Sequence, residues 1–139
     1  MHRILVAALC AIVAGCGGKP AADPKNEAQV AAGKRVYDAH CASCHGARLE
    51  GQTNWRERRP DGKLPAPPHD ASGHTWHHTD EALFKVTKDG LAAIAGAGYE
   101  TDMPAFAGRL SDEEIWAVLA YIKSRWPQAI LDRQPKADR

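Results

Sequence analysis

The segment Cys41-Ala42-Ser43-Cys44-His45 constrains this chain more than any other feature of its sequence. Two thiols three positions apart on a helical turn can reach the two vinyl groups of one porphyrin and attach to it as thioethers. The next residue, His45, then falls beneath the iron and can donate a ring nitrogen. The spacing therefore predicts one covalently bound haem c, held by Cys41 and Cys44, with His45 as an axial ligand.

Three other interpretations of the two cysteines compete with haem attachment. A zinc site would need two further ligands at matching spacing, and the sequence contains no second C-x-x-C. A thioredoxin-like redox pair would follow a buried strand, and no strand pattern precedes Cys41. A disulfide between Cys41 and Cys44 would close a tight loop that stabilises little. Haem is favoured over all three because the chain also begins with an export signal, and haem c is assembled on the exported side.

A second axial ligand can be sought by elimination. The chain has two methionines, and Met1 would be removed with the leader. Met103 lies in an irregular segment and precedes a proline, so it is not placed to fill a helix face. Paired His and Met ligands are a known arrangement for haem iron and raise its reduction potential. Met103 is thus the predicted distal ligand. Four histidines remain open as rival ligands or as a copper or zinc site, namely His69, His74, His77 and His78.

The N-terminal segment has the pattern of an export signal. Ile4 to Gly15 is an unbroken apolar run, of the length of a signal core (about 7–15 residues) and too short for a membrane span (about 18 or more). It ends in Val13-Ala14-Gly15-Cys16, which resembles the bacterial lipoprotein cleavage box. That resemblance implies cleavage before Cys16 and a diacylglycerol on its sulfur. The alternative is an ordinary signal peptide that leaves Cys16 free.

Charge and composition limit the partners of the exported chain. Lys and Arg total 18 and Asp and Glu total 17, which excludes the basic footprint of a nucleic-acid-binding protein. A nearly neutral chain would be held to a membrane by acyl chains rather than by charge. We therefore expect a periplasm-facing lipoprotein anchored through Cys16. Gly17 after that cysteine favours the outer membrane over the inner one, by analogy with enteric lipoproteins.

Helical patterns surround the ligands, and no strand alternation competes with them. The predicted fold is mainly α, with three core helices and long loops wrapped around one haem. The first helix should run from about Asn26 to the haem motif, the second from Asp80 to Lys88 between Thr79 and Gly90, and the third from the capping box at Ser111 to Pro127. The predicted segments are a signal peptide (1–15), a lipidated cysteine with a flexible tether (16–25), one haem domain (26–127) and a solvated tail (128–139).

The order helix, C-A-S-C-H, long loop, short helix, M-P-A-F and capped terminal helix resembles a class I mono-haem c-type cytochrome. It is similar to the bacterial lipoprotein members and to haem domains attached to respiratory oxidases, over roughly residues 26 to 126. The resemblance implies that the first and last helices cross, with Gly33 and Tyr37 against Tyr121 or Trp116. It also implies a hydrogen bond from the proximal histidine to a proline carbonyl, for which Pro65 and Pro67 are both candidates.

The expected function is that of a one-electron carrier, not an enzyme, working with redox partner proteins in a respiratory or other periplasmic chain. Two alternatives stay open. An iron without a methionine ligand would suit a five-coordinate sensor or a peroxidase-like protein, and the His69–His78 cluster would suit a metal-handling lipoprotein. The candidate partners of the haem propionates are Arg56, Arg58, Arg59, Trp55 and Tyr99.

Overall fold

The computed structural model describes residues 20–96 and 98–136, so the predicted signal peptide and the predicted lipidation site at Cys16 lie outside the described residues. Within that part the chain is helical, and the only β-type pairing is an isolated bridge between Ala107 and Leu110. The elements are α1 (Glu27–His40), α2 (Ala42–His45), a 3-10 turn (Thr75–His77), α3 (Asp80–Asp89), α4 (Ala92–Ala95), α5 (Asp112–Ser124) and α6 (Gln128–Arg133). The prediction of a mainly α fold is confirmed. None of these helices is long and apolar enough to cross a membrane.

Side-chain caps begin the three long helices where the sequence places them. The Asn26 side chain accepts a hydrogen bond from the backbone N–H of Gln29 at 3.0 Å at the start of α1. Thr79 caps α3 in the same way. At α5, Ser111 and Glu114 form a reciprocal capping box, with distances of 3.2 and 2.8 Å. Each cap satisfies a backbone N–H that has no partner inside its helix, so the helix ends are fixed locally.

Helices α1 and α5 cross at Gly33, as the resemblance implies. A Cβ atom on Gly33 would overlap the carbonyl of Ala117, so the two backbones touch only because that side chain is absent. One turn further on, the rings of Tyr37 and Tyr121 lie 5.3 Å apart, and Tyr37 is fully buried. Trp116 lies elsewhere and stacks on Phe84 of α3. This crossing fixes the direction of α1 and therefore the position of the cysteine motif that follows it.

Residues 20–25, the described part of the predicted flexible tether, are mostly exposed but contact the rest of the domain at two points. Ala22 is only 3% exposed and belongs to the hydrophobic core. The side-chain amide of Gln29 donates to the Ala21 carbonyl and accepts from the Asp23 N–H, each at 2.9 Å. Ala22 and Gln29 thus connect this segment to α1 and the core.

Residues 128–136, the described part of the predicted solvated tail, are largely exposed but contact the core on one side. Helix α6 occupies the first part, and its Ile130 and Leu131 pack against the core. Gln134 is 4% exposed, and its amide donates to the Asp80 carboxylate at 2.7 Å. That carboxylate also pairs with Lys123 at 2.5 Å, so the tail closes over a buried ion pair.

Candidate functional site

The two motif cysteines lie at the junction of α1 and α2. Cys41 ends the first helix and its carbonyl accepts from the His45 N–H at 2.9 Å, which makes the motif one compact turn. Both thiols are free, with Cys41 half-buried and Cys44 exposed, so the structure does not join them as a disulfide. Burial and the neighbouring Cys44 raise the pKa of the Cys41 thiol to about 11. The two sulfurs are thus present as separate groups on one turn, as thioether attachment requires.

His45 is anchored through one of its ring nitrogens. Its side chain is buried, and Nδ1 lies 2.9 Å from the carbonyl oxygen of Pro67. A carbonyl can only accept, so Nδ1 carries the hydrogen and donates it, which leaves the lone pair on Nε2. Burial lowers the pKa of the ring, against the opposing effect of the Pro67 bond. A neutral imidazole with a free Nε2 is the form that binds a metal. Of the two prolines left open by the sequence, the structure selects Pro67.

His69 lies beside His45. The two rings are stacked with centroids 3.9 Å apart and planes inclined by 22°. A histidine nitrogen binds a metal in the plane of its ring, so a ring stacked face to face on His45 cannot coordinate the opposite side of the same iron. In this geometry His69 is therefore not a rival distal ligand but a neighbour of the proximal one.

The other loop histidines are divided among aromatic contacts. His74 stacks on Trp55, with centroids 5.4 Å apart and planes inclined by 15°, and meets His78 edge-on. His77 stacks on Trp76 at 3.7 Å. In the described ranges, no three His, Cys, Asp or Glu side chains are grouped so that they could hold a metal ion. The structure thus gives no geometric support to a copper or zinc site in the His69–His78 cluster.

Met103 lies in an irregular segment, half-buried against the hydrophobic core. Its backbone N–H donates to the Thr101 hydroxyl at 3.1 Å. The preceding residue, Asp102, forms ion pairs with Lys63, at 2.6 Å, and with Arg59. These two cations hold the pKa of the Asp102 carboxyl below its usual value. The methionine segment is thereby tied to the long loop that follows the cysteine motif.

Two buried N–H groups in the described chain have no hydrogen-bond partner, namely Nε of Arg59 and Nε1 of Trp76. A buried donor without an acceptor is costly, and haem carries two carboxylates that accept strong hydrogen bonds from such groups. Arg59 is one of the residues predicted from the sequence to meet a propionate. Trp76 was missed, since nothing in its local sequence distinguishes it from an ordinary loop aromatic. The orphaned donors, the separate thiols and the neutral His45 together fit a covalent haem.

The remaining arginines and aromatic residues proposed for the propionates have partners within the protein. Arg56 lies over the Trp55 ring at 4.0 Å. Arg58 donates to the Gly62 carbonyl at 2.6 Å and lies 5.7 Å from the centre of the Tyr99 ring. Arg58 and Arg59 line an open cleft of about 430 Å³. Of the three arginines, Arg59 alone has a buried N–H without a partner, its Nε, while its terminal nitrogen pairs with Asp61 and Asp102.

Comparison with known proteins gives a consistent result. A model of the cytochrome c family matches residues 30–126. A cytochrome c6 of Leptolyngbya boryana is 36% identical over 95 residues, which cover 68% of this chain and 91% of the relative. A cytochrome c-555 of Prosthecochloris aestuarii is 33% identical over 103 residues, covering 67% and 84%. The cbb3-type oxidase subunit CcoP of Azospirillum sp. (strain B510) is 31% identical over 94 residues, covering 68% of this chain but only 28% of the subunit. No solved structure matches significantly.

Proposed function

Because the chain belongs to the cytochrome c family, we propose that Cys41 and Cys44 attach its haem, with His45 as proximal and Met103 as distal ligand. Membership makes the chain a class I mono-haem cytochrome that carries electrons on a covalent haem c and is not an enzyme. We also assign the residues that hold the haem and the compartment in which the protein works.

The hydrogen bond between His45 and Pro67 is the observation that carries the ligand assignment. It fixes the tautomer in which Nε2 can bind iron, and it raises the basicity of that nitrogen. Since residues 42–45 form one helical turn, the ring that binds iron is rigidly connected to the cysteine that anchors the porphyrin. Haem c, when bound, supplies the ferric–ferrous couple.

A chain that provides both axial ligands leaves no coordination position for a substrate. His45 would hold one side and the Met103 thioether the other, and neither ligand needs to change when an electron is exchanged. Arg59 and Trp76 would donate their unused N–H groups to the propionates. This arrangement favours simple electron exchange with a redox partner over turnover of a small molecule.

We place this carrier outside the cytoplasm, in a respiratory or other periplasmic chain, and anchored by a lipid on Cys16. The apolar run that ends in Val13-Ala14-Gly15-Cys16 supports export and lipidation. Similarity to a cbb3-type oxidase subunit supports a respiratory partner. The outer membrane is the proposed location, on the basis of Gly17.

The ligand assignment is tested by the spectrum of Met103→Ala, produced in a host that attaches haem c. We expect mature wild-type protein to carry one haem by mass and to show the sulfur-to-iron band in its ferric spectrum. Met103→Ala should lose that band, and its ferrous form should bind carbon monoxide at neutral pH. His74→Ala is the matched control and should keep the band. An unchanged spectrum in Met103→Ala rejects the methionine, and rapid binding of carbon monoxide by the wild type supports the five-coordinate alternative.

The anchor is tested by detergent phase partitioning of the mature protein. Mature wild-type protein, without residues 1–15, should enter the detergent phase. Any Cys16→Ser protein that has lost residues 1–15 by mass should remain in the aqueous phase. Cys10→Ser is the matched control, because that cysteine would be removed with the signal peptide. A Cys16→Ser protein that lacks residues 1–15 and still partitions into detergent rejects lipidation at this position.

A further inference from the structure

The bond from His45 to Pro67 leaves one degree of freedom of the imidazole undetermined. A single hydrogen bond fixes the position of Nδ1 but permits the ring to rock about the line that joins Nδ1 to the carbonyl oxygen. The plane of the ring needs a second constraint. The stacked ring of His69, 3.9 Å away and nearly parallel, lies where it supplies that constraint.

His69 is itself held by contacts from three directions. Its Nδ1 lies 2.8 Å from the Thr75 hydroxyl, its backbone N–H donates to the Leu49 carbonyl at 2.8 Å, and its carbonyl accepts from Nε1 of Trp126 at 2.7 Å. The Thr75 hydroxyl also lies 3.5 Å from the Pro68 carbonyl, which joins this contact to the proline segment. Burial lowers the pKa of His69 well below its ordinary value, which favours the neutral ring.

The carbonyl that orients His45 and the ring that covers it come from the same three residues, Pro67 to His69. This tripeptide is closely packed, because a Cβ on Gly73 would overlap the Pro68 carbonyl. Two successive prolines also restrict its backbone. A rigid segment therefore offers His45 a hydrogen-bond acceptor and a flat surface at a fixed distance from each other.

We propose that His69 is a positioning residue that sets the plane of the His45 imidazole by stacking on it. This inference rests on the proposed function, since it takes His45 to be the proximal ligand. His69 touches the ligand and not the iron. Its stacked face, and not its ability to titrate, is the property that matters.

The orientation of an axial imidazole can be measured directly in the ferric protein. The plane of the ring sets the direction of the in-plane magnetic axes, and these determine the order and spread of the four haem-methyl proton shifts. We expect His69→Ala to change that order or spread, because the ring of His45 is then free to rock. His69→Phe keeps a flat face and should retain the wild-type pattern. On the same samples, we expect the reduction potential of His69→Phe to match that of the wild type and the reduction potential of His69→Ala to differ from it.

Two further variants separate loss of the flat ring at position 69 from failure to fold and from effects elsewhere in the loop. His69→Leu fills the site with a side chain that has no flat face, so it should behave as His69→Ala does even if the alanine variant does not fold. His78→Ala removes an exposed ring whose aromatic neighbour is His74 and not His45 or Trp76, and it should leave the methyl shifts unchanged. A wild-type pattern in His69→Leu overturns the proposal, as does an altered pattern in His69→Phe that matches the leucine variant.

Failure of this inference is distinguishable from failure of the proposed function. If the ligands are wrong, wild-type protein lacks haem by mass or lacks the sulfur-to-iron band. If only the role of His69 is wrong, both signatures are present in every His69 variant and the methyl shifts do not move. The absorption spectrum is therefore recorded on each sample before the shifts are compared.

Discussion

Substitution of Gly33 by alanine tests the crossing of α1 and α5 on which the geometry of the site depends. The new Cβ would overlap the carbonyl of Ala117 and would lie 3.0 Å from Cβ of Tyr121. The first of these atoms is backbone, so no change of rotamer can relieve the overlap. The two helices must separate, and the buried contact between Tyr37 and Tyr121 must loosen with them.

Two effects of opposite sign determine the expected change in the free energy of unfolding of Gly33→Ala. Alanine is the better helix former, which by itself would stabilise α1 by about 1 kcal/mol. Overpacking of a core contact costs about 1–3 kcal/mol, and an unrelieved clash with backbone lies at the upper end of that range. We expect a net loss of about 2 kcal/mol. For a domain of this size, such a loss corresponds to a fall in Tm of about 8–16 °C.

The assay is urea unfolding of the haem-loaded protein, followed by far-ultraviolet circular dichroism and by the haem absorption. Ala31→Gly is the matched control, because Ala31 is exposed on the same helix. It should lose about 1 kcal/mol from helix propensity alone. A Gly33→Ala protein as stable as wild type, or more stable, would show that the crossing tolerates a side chain. It would contradict the claim that α1 and α5 can touch only because Gly33 has no Cβ.

Two further substitutions test buried polar groups. Tyr37→Phe removes the hydrogen bond to the Gly46 carbonyl and should cost about 1–2 kcal/mol in urea unfolding at pH 7. Burial raises the pKa of Tyr37 in the folded state, so the wild type keeps this contribution below the ordinary tyrosine pKa near 10 and loses stability above it. The deficit of the variant should therefore narrow at pH 10.5, and a constant deficit would contradict the pKa argument. Lys123→Met leaves the Asp80 carboxylate without its cation and should cost about 2–3 kcal/mol by the same assay. Lys34→Met, which removes an exposed pair, should lower stability much less than Lys123→Met does, and equal losses in the two variants would contradict this distinction.

Local sequence patterns predict the three long helices and the turn that holds the cysteines, but not the short helices α4 and α6. The caps at Asn26, Thr79 and Ser111 are interactions between residues three positions apart, so they can be recognised without any knowledge of the rest of the fold. The predicted starts of α1, α3 and α5 are confirmed for that reason. The Gly33 crossing was also accessible, but through the family resemblance rather than through local rules.

The course of the long loop around His45 depends on contacts between residues far apart in the sequence. Local sequence does not choose between Pro65 and Pro67, and the choice of Pro67 depends on how the loop folds back onto α2. His69 could not be assigned to the proximal side for the same reason. The packing of the segments that flank the haem domain, through Gln29 at one end and Gln134 at the other, likewise depends on partners distant in the sequence. Local patterns fix helices because their hydrogen bonds join residues close in the sequence, whereas the loop depends on bonds between residues far apart, such as the one from the His69 N–H to the Leu49 carbonyl.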